Sequence, residues 1–266
     1  MTGARRCPGC AAHNGENARF CRHCGAPLGE PGPAIGSAPD GVLEKEILDS
    51  ARSSAVSVDT QRVFRELCWL CAVVIVSSVA YAVYVRIWGV HPAAEVVVVS
   101  AVALLALVGF VLNSRLVGAS LVLPNARGLL DTGLVALVAG PSLTFGFWLL
   151  GLLGFGARYD YWTAYARDGW PVWVGFVLVA MVTPLSEELL FRGLIQPKLE
   201  QLIDPTEALI VQAALFSALH LNPVILVTHF GMGLAFGWLR RRTGSLFPGV
   251  VLHGAWNAWV LAVGVA

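Results

Sequence analysis

Apolar residues gather into seven runs along this chain, near 67–86, 95–112, 131–156, 171–196, 207–221, 224–239 and 245–265, with short polar or Pro/Gly-containing breaks between them. A helix needs about 20 such residues to cross the hydrocarbon of a bilayer. Five of the runs pass that test. The runs at 207–221 and 224–239 are shorter and flank the turn dipeptide Asn222-Pro223, so they predict a helical hairpin packed inside a bundle. From Ala26 to about Thr60 the chain is rich in Pro, Gly, Ser and Ala and lacks the apolar surface that would offset its ordering entropy. We read residues 29–61 as a flexible linker, with a weak helical stretch over Val42–Ala51 too short to stand alone. The pattern predicts an all-α fold: a polytopic transmembrane bundle of about seven helices, with N-terminal helices over 62–170 and a second bundle over 171–266.

Composition strengthens this picture. Of 266 residues, 56% are hydrophobic and only 13% charged, which excludes an ordinary soluble domain and makes the lipid bilayer the natural solvent. A net charge of +1 gives no basic field, so nucleic acid is not an expected partner. Arg5 and Arg6 are followed by polar, cysteine-rich sequence, with no apolar run before Leu67, so no cleavable signal peptide is expected. Basic residues set the orientation. With a cytoplasmic N-terminus the inner loops hold Arg62, Arg65, Arg115, Arg127, Arg192, Lys198, Arg240, Arg241 and Arg242, and the outer ones Arg86, Arg158 and Arg167. The expectation is a multi-pass membrane protein with its C-terminus outside the cytoplasm. Tyr159, Tyr161, Trp162, Tyr165 and Trp170 in one outer loop suit the membrane interface.

Four of the six cysteines lie within the first 24 residues, as Cys7-Pro-Gly-Cys10 and Cys21-Arg-His-Cys24. Two CxxC knuckles at this separation can place four thiolates around one zinc ion, with Gly9 and Gly25 permitting tight turns. Two disulfides fit the same spacing, but an unexported N-terminus sits in a reducing compartment. Residues 1–28 resemble the short zinc ribbons found at the head of many prokaryotic membrane proteins, a module that could engage a cytoplasmic partner. His13 and His23 are bystanders in this reading, since four thiolates complete the shell. Cys68 and Cys71 form a third CxxC inside an apolar run and read as buried thiols on one helix face.

Ionisable residues inside a membrane cost roughly 2.5–3.5 kcal/mol each, so each needs a reason. Three clusters stand out. In Ser186-Glu187-Glu188-Leu189-Leu190-Phe191-Arg192, Glu188 and Arg192 are four apart and can pair, whereas Glu187 points about 100° away around the helix. One carboxylate can thus act as a brace while the other is left to take a proton from water. Phe216-Ser217-Ala218-Leu219-His220 ends the fifth run, and His253-Gly254-Ala255-Trp256-Asn257 places an imidazole and an amide on one face of the last. Each cluster alone could be structural glue. Together they supply a carboxylate, two imidazoles and an amide within one contiguous segment.

The order EExxxR, FxxxH, HxxxN resembles the CPBP family of intramembrane endopeptidases, the CAAX-processing and bacteriocin-immunity type that includes the Ras-converting enzyme. The resemblance covers roughly 171–266, including Phe230-Gly-Met-Gly233 and the Arg-Arg-Thr-Gly-Ser-Leu-Phe-Pro run. It implies hydrolysis of a peptide bond in a membrane-associated protein or peptide. In it, Glu187 activates water, His220 positions it, and His253 and Asn257 stabilise the oxyanion, with Glu188, Arg192 and Phe216 in support. Counted at 1.5 Å per residue, His253, Asn257 and Glu187 lie roughly 10–18 Å from the cytoplasmic ends, so access from the cytoplasmic leaflet is expected. No catalytic metal is expected, because the HExxH helix of zincin proteases is absent. The alternatives are a zinc-dependent metalloprotease using Glu and two His, and a non-enzymatic scaffold or immunity protein. His229 is ambiguous between site and packing.

Overall fold

The computed structural model describes residues 5–14, 21, 23, 24, 26, 28, 59–118, 120–153, 161–222 and 225–263. They fall into two units, Met1–Asp59 and Thr60–Ala266. Residues 29–58 of the linker expected over 29–61, its Val42–Ala51 stretch, Gly25, Arg158 and Tyr159 lie outside the described residues, and the linker's last two residues, Thr60 and Gln61, are helical.

In the first unit, β1 (Arg5–Arg6) pairs antiparallel with β2 (His13–Asn14). The connecting turn closes through Cys7 N–H to Ala12 O at 2.9 Å and Ala11 N–H to Cys7 O at 2.8 Å.

The second unit is helical: α1 (Thr60–Trp88), α2 (Pro92–Leu112), α3 (Ser114–Gly118), α4 (Ala126–Leu152), α5 (Tyr161–Arg167), α6 (Val172–Leu199), α7 (Pro205–Ala218), α8 (Leu226–Thr243) and α9 (Phe247–Val263). Four of them, α1, α2, α4 and α6, are long and apolar enough to cross a membrane. The sequence pattern predicts five; α9 is described over 17 residues. α7 has 14 residues, about 21 Å, too short to span. α1 and α4 begin several residues before their apolar runs. α4 does so because the Asn125 side chain accepts from Gly128 N–H at 2.9 Å, capping a first turn that hydropathy passes over. Exposed Trp69, Val76, Leu112 and Leu137 cover the outside of the bundle, as a lipid environment requires. Cys68 shares that outer face rather than being buried.

Polar ties show which helix ends lie together. At one end Lys198 Nζ donates to Glu66 Oε2 at 2.5 Å and to Asn113 Oδ1 at 2.9 Å, and Arg242 Nε donates to Asp131 Oδ2 at 3.0 Å. At the other, His91 Nδ1 meets Asp168 Oδ2 at 2.8 Å and Arg167 Nη2 donates to Val90 O at 3.0 Å. Arg167, and then His91, hold the Asp168 carboxyl below the usual carboxylate range. The first is the arginine-rich end; the second, next to the α7–α8 connection, is the hairpin end. Arg192 belongs to neither. It is fully buried within α6, so the loop count behind the orientation becomes eight basic residues against three.

α6 runs through the core, with Leu190, Leu194 and Ile195 fully buried. Its helix is wound in the wider π form over Phe176–Val182 and Leu189–Ile195. Pro184 and Pro197 follow these stretches. Each proline lacks an N–H for the carbonyl four residues back, and its ring crowds that carbonyl, which gives a local cause for the widening. Between the two π stretches lies a short α-helical segment, Thr183–Glu188, holding both glutamates.

Candidate active site

Glu188 is 1% exposed and pairs with Arg192, whose Nη1 donates to Glu188 Oε1 at 2.9 Å. The guanidinium lies 4.4 Å from the Phe216 ring centroid, with Phe236 at 5.6 Å and Phe191 at 5.9 Å. A charge this deep is held by one carboxylate and three aromatic faces. Nη2 also reaches Gly233 O at 3.4 Å, tying α6 to α8.

Glu187 occupies the other face. Its Oε2 is buried and has no hydrogen-bond partner. His253 stands between the two acids, with Nδ1 3.2 Å from Glu188 Oε1 and Nε2 3.7 Å from Glu187 Oε2. The second distance is too long for a hydrogen bond. α9 approaches α6 closely because it presents glycine there. A Cβ on Gly249 would lie 2.6 Å from Glu188 Oε2, and one on Gly254 2.8 Å from Ala180 O, the carbonyl four residues before Pro184. One turn on, Asn257 Nδ2 donates to Val179 O at 2.8 Å. His253 and Asn257 thus dock α9 against the first π stretch and the glutamates together.

His220 follows the end of α7, in a turn where Leu221 has φ 50°, a left-handed conformation uncommon for leucine. His220 Nδ1 lies 2.8 Å from Phe216 O and His229 Nδ1 3.1 Å from Ile225 O. Carbonyls only accept, so both Nδ1 atoms carry the proton and each Nε2 is left as the second functional nitrogen. The two rings are 4.0 Å apart between centroids. Phe216 faces all three imidazoles, with His220 at 5.0 Å, His253 at 5.9 Å and His229 at 6.1 Å between ring centroids. The structure therefore brings Glu187, Glu188, Arg192, Phe216, His220, His253 and Asn257 to one place, and adds His229.

Glu187, Phe216, His220, His229, His253 and Asn257 line one end of a cavity of about 690 Å³, whereas Glu188 and Arg192 do not border it. Its wall also includes Ser77, Ser78, Tyr81 and Arg86 of α1 and Glu95 of α2, none of which the sequence reading assigned to the site. Glu95 is 4% exposed and accepts from Tyr165 Oη at 2.5 Å and Tyr81 Oη at 3.3 Å. An acid opening an apolar run was the available signal. Tyr165, expected at the membrane interface, is instead 1% exposed.

In the first unit the four candidate sulfur ligands all lie within 4.8 Å of one another. Cys7 Sγ is 3.4 Å from Cys24 Sγ and Cys10 Sγ 3.5 Å from Cys21 Sγ, near the edge of a tetrahedron with metal–sulfur bonds of about 2.3 Å. All four thiols are free. Burial pushes the Cys21 thiol up, but the backbone N–H groups of Cys24 and His23 outweigh it and bring it to about 6. A donor set of four thiolates fits a structural metal. Among the described residues, no other group brings three ligating atoms together in this way.

Residues 168–259 match the type II CAAX prenyl endopeptidase Rce1-like family. The chain carries an Rce1-like domain. Residues 6–28 match the zinc-ribbon domain family, the segment that holds the four cysteines. No curated protein and no solved structure matches the chain. The Rce1-like match supports a protease, and with four apolar spans an intramembrane one in a multi-pass membrane protein. It takes in Glu187, His220, His229, His253 and Asn257 but not α1, α2 or Glu95, so one end of the cavity belongs to the Rce1-like domain and the other to helices outside it.

Proposed function

We propose that the protein is an intramembrane endopeptidase that hydrolyses a peptide bond of a membrane-associated protein or peptide with water activated by Glu187. The observation that carries this reading is the buried Glu187 Oε2, which has no hydrogen-bond partner and belongs to a side chain in the cavity wall. Arg192 and His253 engage Glu188, which leaves its neighbour to accept a proton. Water attacks the scissile carbonyl as Glu187 takes its proton. His220, fixed by Phe216 O, orients that water through Nε2. The tetrahedral oxyanion is met by His253 and by the second N–H of Asn257, whose first is used on Val179 O. The proton on Glu187 then passes to the leaving amine. In this reading the ribbon holds zinc as a structural ion and serves a cytoplasmic partner.

The test is cleavage of a membrane-anchored peptide by the purified full chain and by Glu187→Gln. Loss of turnover with an unchanged thermal transition is expected. Retained turnover in that variant would defeat the glutamate mechanism. Absence of any turnover in the unsubstituted chain across membrane peptide libraries, with a phenotype insensitive to Glu187, would favour the scaffold alternative.

A further inference from the structure

Three imidazoles border the cavity, His220, His229 and His253, and the hydrolysis proposed above uses two of them. His229 is left over. It lies in the first turn of α8, and α8 is held tightly to α7: the Ser217 hydroxyl donates to Leu226 O, and a Cβ on Gly233 would lie 2.7 Å from Ala213 Cα. The ring is pinned through Nδ1, 3.1 Å from Ile225 O, a carbonyl to which the Thr228 hydroxyl also donates at 2.8 Å. His220 is pinned in the same way to Phe216 O, and the two ring planes meet at 52°. A carbonyl oxygen can only accept, so each ring carries its proton on Nδ1 and each Nε2 is a bare acceptor. Among the described residues neither Nε2 has a hydrogen-bond partner, and no third ligating atom joins the pair in a metal site. Two unmet acceptors side by side are costly, so each calls for a donor that the cavity's occupant supplies.

Hydrolysis of a peptide bond brings a small, countable set of donors to this place: the two hydrogens of the water and the one on the scissile nitrogen. The acceptors that meet them are Glu187 Oε2, His220 Nε2 and His229 Nε2. Glu187 and His220 take the water's hydrogens, which leaves the peptide N–H for His229. We propose that His229 Nε2 accepts the N–H of the scissile peptide bond and so restricts cleavage to bonds that carry one. The atoms balance. The C–O bond forms as Glu187 takes one water proton, the C–N bond breaks as that proton passes to the nitrogen, and the water's second hydrogen leaves on the new carboxyl group. The amine departs with two hydrogens, the one from Glu187 and the original one held by His229. With its N–H held, the nitrogen is fixed as it becomes pyramidal, and its lone pair is left for the incoming proton. A bond preceding proline has no N–H and would leave Nε2 unpaired, so such bonds are expected to be spared.

The role exists only in a peptide hydrolase, so it rests on that reading. Two substrates separate it from packing: a membrane-anchored peptide, and the same molecule with the scissile amide replaced by an ester, which has no N–H but is attacked by the same water. kcat/KM is measured for both with the purified full chain, His229→Leu and His229→Gln. In His229→Leu the amide-to-ester ratio of kcat/KM is expected to fall roughly 10- to 100-fold, as when a substrate N–H loses its partner. His229→Gln offers an acceptor oxygen and is expected to keep most of the ratio. His220→Leu, which acts on the water, is expected to slow both substrates alike and leave the ratio in place. An unchanged ratio in His229→Leu, whether both rates fall together or neither moves, overturns the proposal, and so does a ratio lost equally in the Leu and Gln variants. In those cases the hydrolase reading stands without His229. If the unsubstituted chain cleaves neither substrate, the hydrolase reading itself falls and takes this role with it.

Discussion

His253 holds Glu188 at 3.2 Å through Nδ1, so the imidazole of α9 is anchored to the same acid that neutralises Arg192. The two glutamates are thereby given separate tasks. Glu188→Gln leaves a fully buried guanidinium without its counter-charge, and breaking such a pair costs about 3–5 kcal/mol. The expected outcome is a large fall in the thermal transition for Glu188→Gln, and a smaller one for the double variant Glu188→Gln/Arg192→Met, which removes both charges. Glu187→Gln is expected to leave the transition unchanged. Thermal unfolding of the detergent-solubilised variants checks all three.

Phe216 supplies the closest aromatic face to Arg192, at 4.4 Å, and also carries the carbonyl that fixes His220. Phe216→Leu keeps the carbonyl and removes the ring, for which a desolvated cation–π contact contributes about 2 kcal/mol. We expect a lowered thermal transition and a reduced kcat with little change in KM, since the ring orients catalytic groups. An increase in KM alone would place Phe216 in substrate binding instead.

Much of this was legible in the sequence, for reasons that differ by residue. The Glu188–Arg192 pair follows from helical spacing, because an i, i+4 relation holds even though the turn between the two residues is wound in the π form. The four-cysteine group follows from two knuckles whose local turns fix the sulfurs. Depth along the bundle is legible as well, whereas the route into the cavity is not, since hydropathy says where a residue lies and nothing about where helices part. Tyr165 and Glu95 are far apart in sequence and meet only in the fold, where the Tyr165 hydroxyl donates to the Glu95 carboxylate, so neither could be assigned from its own neighbourhood. His229 likewise became part of the site only once α8 folded back beside His220.

Metal content separates the ribbon from the catalytic cluster. The full chain is expected to bind one metal ion per molecule, with zinc proposed, and Cys7→Ser/Cys24→Ser to bind none. Thiolates must be deprotonated to ligate, so acidification should release the ion, with stability of the first unit lost in the same range. Peptide cleavage should persist in the cysteine variant. Elemental analysis alongside turnover checks this, and a second ion that survives the cysteine changes and disappears with Glu187→Ala would restore the metalloprotease alternative.

The approach of α9 to α6 provides a steric test of the site's geometry. An added methyl at Gly249 would fall 2.6 Å from Glu188 Oε2, and one at Gly254 2.8 Å from Ala180 O. At Gly254 the obstruction is backbone, which cannot rotate away. At Gly249 it is a carboxylate already fixed by Arg192 and His253. Overpacking of this kind costs about 1–3 kcal/mol. Both Gly→Ala variants should therefore lower the thermal transition, and both should push His253 away from the glutamates and reduce kcat. Gly231→Ala on α8, where a Cβ meets nothing within 4 Å, is the matched control and should leave both quantities unchanged. Equal tolerance of alanine at all three positions would mean that α9 does not pack against α6 at the distance on which the Glu187–His253 arrangement depends.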